Sequence, residues 1–289
     1  MRPHPGNQGY GFPMDRPSSQ EYHRDNAAHR LGQYNAWDVK GVEAVDLVWV
    51  SKAHAENPAA HRVLPHSEPS IAILSRRNAR GEITEIDLTV CGPYQRASFY
   101  RPDANEELIG VRLKPENAEH YFNISPYEYV GAPPVAAPRS LVASCRESLL
   151  AAEACDVKIL IPILMDNLIF HAQGRNAKPT PEAFLAQRLR RTQGRSNLRN
   201  LIRETGVSER HLRRRFRDKF GVTPKEYARQ LRLTGAALYA ERMDKPDWAS
   251  IAAAFGYHDQ SHMINEFQTM VQMTPRMLHR ERRALRDAV

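Results

Sequence analysis

The feature that most constrains this chain is an internal repeat of a helical framework. A shift of 51 positions lays Leu212 on Met263, Phe216 on Phe267, Phe220 on Val271, Thr223 on Thr274, Pro224 on Pro275 and Tyr227 on Leu278. Apolar residues four apart form a stripe along a helix and would fall on one face of it. Upstream of the first copy, SNLRNLIRE carries Leu198, Leu201 and Ile202 on a short helix. Gly206 follows where a tight turn needs positive φ, and Ser208 stands where the next helix needs an N-cap. Before the second copy, WASIAAAFG ends at Gly256, with one extra residue in the turn. Helix, glycine turn and capped helix make a helix-turn-helix unit, and the chain has two.

Charge says what such units face. Residues 182–289 hold 22 Lys/Arg against 12 Asp/Glu, whereas residues 1–181 hold 19 against 21, so the net +8 of the chain is concentrated at its C-terminal end. That asymmetry points to a polyanion-binding module joined to a part with another task. In GVSERHLRRRFRDKF, Arg210, Arg213, Arg214 and Arg217 share one broad face opposite the apolar stripe. A solvated basic helix is the plain alternative, but the repeat favours double-stranded DNA. Arginine pairs bidentately with guanine edges and clamps phosphates. The first three arginines are the candidates for base contact, with Arg217 and Lys219 on phosphates.

The rest of the chain reads differently. Residues 1–40, rich in Pro, Gly, Asn and His, predict a mobile arm with a helix around 20–33. Residues 41–130 contain short runs of strand type, VEAVDLVWV, RVLP, SIAILSR, EITEIDLTV, ASFY and ELIGVRLKP, separated by breakers, which predict a compact β-domain. After GAPPVAAP, residues 131–178 predict two apolar-faced helices, a linker that either covers the β-domain or mediates self-association, with Pro162 kinking the second. Residues 182–283 form the helical domain. The fold class is therefore α+β and multidomain. No apolar run approaches the roughly 20 residues of a membrane span, and the first residues lack the apolar region of a signal peptide. A cytoplasmic, nucleoid-associated protein is expected.

The C-terminal third resembles the DNA-binding domain of AraC-type transcription regulators, on GVSERHLRRRF, FGVTPKEYARQLRL, IAAAFGYHDQSHMINEF and MTPRMLHRE in that order. The resemblance implies a first recognition helix from about Ser208 to Phe220 reading bases with Arg210, Arg213 and Arg214. It implies a second from about Asp259 to Gln268 using Ser261, His262 and Asn265. A joining helix would run from about Pro224 to Met243, with Gly256 as the second turn glycine. The second copy departs from the family pattern, with Met263 for an aromatic residue and Asn265 and Gln268 for basic ones. It also carries Asp259 and Glu266, and a weaker electrostatic grip is expected there. Asn265 could still read adenine. Residues HRVLPHSEPSIAIL and LIGVRLKPENAEHYFN look similar to the cupin-like sensing barrels of such regulators. That similarity implies a small-molecule effector and a homodimer, and RNA polymerase is a further partner expected of a transcription regulator.

Other classes are poorer fits. Cys91, Cys145 and Cys155 are too scattered for a metal-activated repair thiolate, and no GxSxG, P-loop or HExxH occurs, so neither a repair enzyme nor a cupin-like catalyst is supported. His54, His61 and His66 lack the H-x-H of a cupin metal site. No metal, cofactor or catalytic residue is expected. A non-specific architectural DNA-binding protein remains the main alternative.

Overall fold

A computed structural model describes residues 29–30, 33–38, 44–52, 61–78, 80, 83–101, 106–139, 141–143, 168 and 178–287. The first part is an antiparallel sheet of β1 (His29–Arg30), β2 (Gln33–Asp38), β3 (Val45–Lys52), β5 (Ser70–Arg77), β6 (Ile83–Cys91), β8 (Glu106–Leu113) and β9 (Val135–Ala136), in the order β1-β2-β3-β8-β5-β6-β9. A two-stranded ribbon, β4 (His61–Val63) with β7 (Ser98–Tyr100), lies beside it. The six runs of strand type in the sequence are β3 to β8 in order. The sheet also takes in residues that the composition of the first 40 assigns to an arm. QYNAWD pairs with β3 through Trp37↔Val48, and His29–Arg30 is strand where the sequence predicts helix. The rest of the predicted 20–33 helix lies outside the described residues.

Register explains how the β-domain buries its core. Val48, Val111, Ile71 and Val90 face one another across four neighbouring strands, and all four are fully buried. Helix α1 (Pro115–Phe122) lays Ala118, Tyr121 and Phe122 over that face. On the other face Trp49, Ala72, Leu74 and Leu108 pack with Val63 and Tyr100 of the ribbon. Strand β8 is buried along its whole length because both faces are covered. Leu141 and Leu168, from the segment predicted as a helical pair, are buried in the α1-side core. The rest of that pair lies outside the described residues, as do Cys145 and Cys155.

The second part is helical: α2 (Pro181–Arg191), α3 (Leu198–Glu204), α4 (Glu209–Phe220), α5 (Pro224–Glu241), α6 (Trp248–Ala254), α7 (Gln260–Val271) and α8 (Pro275–Asp287). Each begins with a side chain that accepts from an otherwise unpaired first-turn amide: Thr180, Asn197, Ser208, Thr223, Asp247, Asp259 and Thr274. Caps of this kind contribute about 1 kcal/mol each and fix where every helix starts. Helix α5 serves two cores. Its first half gives Tyr227 and Ala228 to a cluster with Leu212, Phe216 and Phe220, and its second half gives Leu233, Ala236, Ala237 and Ala240 to a cluster with Met263, Phe267 and Val271.

The two parts share an extensive contact surface. Leu64 of the first enters the second helical core. Ser67 donates to Gln230 and Thr234 donates to the Pro65 carbonyl. Glu116 of α1 and Arg190 of α2 form a buried bidentate ion pair.

The repeat extends to the helix ends. Gly221 closes α4 with φ +72, and Gln272, 51 residues on, closes α7 with φ +62. Only glycine holds this left-handed conformation without steric cost. Replacing Gln272 by Gly should therefore raise stability by about 0.5–1 kcal/mol, read as a shift in the urea midpoint; an unchanged or lower midpoint would refute the strain at this cap.

Candidate nucleic-acid interface

Each unit is built from the same parts. In the first, Leu212, Phe216 and Phe220 are fully buried, with the Phe216 and Phe220 rings 4.4 Å apart at 68° and Tyr227 5.7 Å from Phe216. In the second, Met263, Phe267 and Val271 are buried at the matching positions. The turns hinge on Gly206 at φ +70 and Gly256 at φ +74. These apolar stripes fix the rotation of α4 and α7 about their axes, and so fix which side chains face outward.

On α4 those are Arg210, Arg213, Arg214 and Arg217, all exposed. Arg213 pairs with Glu209 one turn earlier at 2.5 Å, and Arg214 lies 3.4 Å from the His211 ring nitrogen. Arg215 turns back toward the domain and pairs with buried Glu182 at 2.9 Å. Lys219 is half-buried, its ammonium 5.9 Å from the Phe220 ring centre. The five arginines of the run thus divide into four that face out and one that braces the fold.

On α7 the outward residues include Ser261, His262 and Asn265. Here the structure shows what holds the two acids. Asp259 is the N-cap: the His262 amide, then His258, hold its carboxyl below the ordinary range, and it accepts from that amide at 2.7 Å. Glu266 is buried and turned inward, 2.9 Å from Arg229 and 3.6 Å from Arg232 of α5, with His262 Nε2 at 3.4 Å. Both acids are engaged within the unit. Asp259 stays ionised at the exposed start of α7, where α4 has the neutral Ser208, and Glu266 offsets cations of α5; with neutral side chains at 265 and 268, α7 is the less basic of the two helices.

Two clefts flank α5. One, of about 430 Å3, is lined by Arg199 of α3, Arg213 of α4 and Lys225, Ala228 and Arg232 of α5 among others. The other, of about 290 Å3, is lined by Lys225 and Arg229 of α5 with His262, Asn265 and Thr269 of α7. Lys225 lines both. The outward faces of α4 and α7 therefore open toward one stripe of the joining helix, where Lys225, Arg229 and Arg232 recur at spacings of four and three. The sequence reading missed this stripe, although PKEYARQLR displays the spacing; the run of arginines in α4 is denser and drew the assignment.

The remaining candidates lie elsewhere. His66 is buried in the first domain and His61 begins β4, while His54 is outside the described residues. Among the described residues no three His, Cys, Asp or Glu side chains gather as metal ligands. Cys91 is fully buried, and burial pushes its thiol up to about 12, so it is protonated at neutral pH. No helix among the described residues is long and apolar enough to cross a membrane.

Residues 201–281 match a helix-turn-helix domain family, and residues 42–132 match a domain of unknown function, DUF6597. No curated protein matches the chain in sequence. Among solved structures, it is similar to ToxT from Vibrio cholerae, at 9% identity and a TM-score of 0.41, over 81% of this chain and 97% of that one. A structure of the same Vibrio cholerae protein with a bound unsaturated fatty acid is similar at 10% identity and a TM-score of 0.39, over 80% and 93%.

Proposed function

We propose that the C-terminal part of the chain, where residues 201–281 match a helix-turn-helix domain family, is a DNA-binding domain of the AraC type, and that the protein is a sequence-specific transcription regulator that reads an asymmetric DNA site with both units. The observation that carries this reading is the pair of matched recognition helices, each rotated by a buried stripe so that its polar face opens toward the same side. Two such helices enter successive major-groove faces about one helical turn apart. In the first unit Arg210, Arg213 and Arg214 pair with base edges, and Arg217 and Lys219 hold phosphates. In the second, Asn265 is suited to adenine and Ser261 and His262 to neighbouring edges. The role is binding and not catalysis.

The first domain supplies control. A small-molecule effector or a second copy of the chain, acting there, would shift the population of DNA-competent arrangements through the contacts at Leu64, Ser67 and Glu116. RNA polymerase is the further partner of a regulator of this kind.

Selection of bound genomic fragments at two salt concentrations tests the reading. A shared site that keeps a large specific-over-nonspecific ratio at the higher salt is expected, and affinity that ignores sequence and collapses with salt would make the protein architectural instead. On the selected site, Arg214→Ala should cost about 1–3 kcal/mol and relax one position. An equal loss on every sequence would place Arg214 on a phosphate.

A further inference from the structure

We propose that the joining helix α5 is itself a DNA contact: Lys225, with Arg229 and with Arg199 across the first cleft, takes backbone phosphates between the two major-groove faces read by α4 and α7. This rests on the reading above. Lys225 lines both clefts that separate α5 from the recognition helices, sharing one with Arg213 and the other with His262 and Asn265. When two helices occupy successive major grooves on one side of a duplex, the intervening minor groove and its two phosphate strands face whatever joins them. Here that is the stripe of Lys225, Arg229 and Arg232.

Charge and rigidity both suit the stripe to phosphate. Two acids, Glu209 and Glu266, line the clefts against five cations, Arg199, Arg213, Lys225, Arg229 and Arg232. Arg232 is pinned, donating to the Gly194 carbonyl at 3.1 Å and lying 5.6 Å from the Tyr257 ring centre, and Arg229 is held by Glu266 at 2.9 Å. Arginines fixed in this way need no ordering on binding. Lys225 and Arg199 are exposed and have no such internal tie among the described residues, which makes them the cations with most to gain from an outside anion. A phosphate contact carries no base information, so the stripe would set affinity and register and leave the preferred sequence alone.

The test uses the full chain and two duplexes, one holding the selected site and one scrambled. With Lys225→Ala, affinity should fall by the same factor on both, and the slope of log K against log salt should become shallower by about 0.9. Lys225→Glu should lose more, and Lys225→Arg should retain the wild-type slope. The position is exposed at the first turn of α5, and an unchanged circular dichroism spectrum and urea midpoint would establish that the variants fold. If folded Lys225→Ala keeps both the affinity and the salt slope of the wild type, the stripe is not a phosphate site. If the wild-type chain binds neither duplex, it is the regulator reading that fails.

Discussion

Replacing Glu116 by Ala should cost the protein about 3–5 kcal/mol, because it removes the carboxylate to which the buried Arg190 guanidinium is hydrogen-bonded, leaving the weaker pull of Asp46. Glu116 and Arg190 are each less than a tenth exposed and meet in two parallel hydrogen bonds between α1 and α2. Surface pairs such as Arg188 with Glu204, 3.6 Å apart and about two-fifths exposed, contribute little by comparison. The double replacement Glu116→Leu with Arg190→Met should recover most of the loss, since removing both charges removes the desolvation penalty too. Urea unfolding of the three variants and the wild type completes the cycle. A single variant within 1 kcal/mol of wild type would show that water reaches the pair.

The second large effect is on pH. His66 is fully buried, and desolvation, followed by the nearby Arg112 charge, lowers its pKa to about 3 from an ordinary 6.5. Its Nδ1–H donates to the Glu68 carbonyl at 2.9 Å, and the Tyr94 ring packs edge-on at 5.4 Å. The unfolded chain therefore binds a proton below pH 6.5 that the folded chain refuses until about pH 3. Stability is complete above pH 6.5 and declines as the pH falls through that window. The loss should reach about 2 kcal/mol at pH 5. His66 adjoins Pro65 and Ser67, which bond α5. Urea midpoints between pH 7 and pH 5 check the expectation. A His66→Gln variant should show a flatter profile, and a wild-type profile as flat as the variant's would exclude the histidine as the cause.

The helical third was legible because its signals are local. A four-residue apolar period, a turn glycine and a capping serine determine α3 to α5 from neighbours in sequence, and the repeat checks each against its twin. Strands β3 to β8 were legible for a similar reason, alternation between breakers. QYNAWD was not, since its strand character comes only from pairing with β3 and its composition is that of a loop. Helix α1 was missed too, although Pro115 at its first turn is a start signal. At the candidate interface, sequence spacing placed the outward arginines of α4 correctly. The inward turn of Arg215 and of Glu266 depends on Glu182, Arg229 and Arg232, partners 33 to 37 positions away, and no local pattern carries that.

One asymmetry between the twin caps reaches further than the helices they close. A side chain at Gly221 would put its Cβ 2.0 Å from Val130 of the first domain, while at the matching end of α7 the Val271 carbonyl accepts from Arg62 at 3.2 Å and the Met270 carbonyl accepts from the Ala97 amide at 2.8 Å. The first domain thus grips the trailing ends of both recognition helices, like the frame of a caliper. Helix α5 joins the two units through both of their cores, and these contacts add a second hold on the separation of α4 and α7. If α4 and α7 read DNA as proposed, a change of shape in the first domain would alter which spacing fits and leave the readable letters at each end as they were.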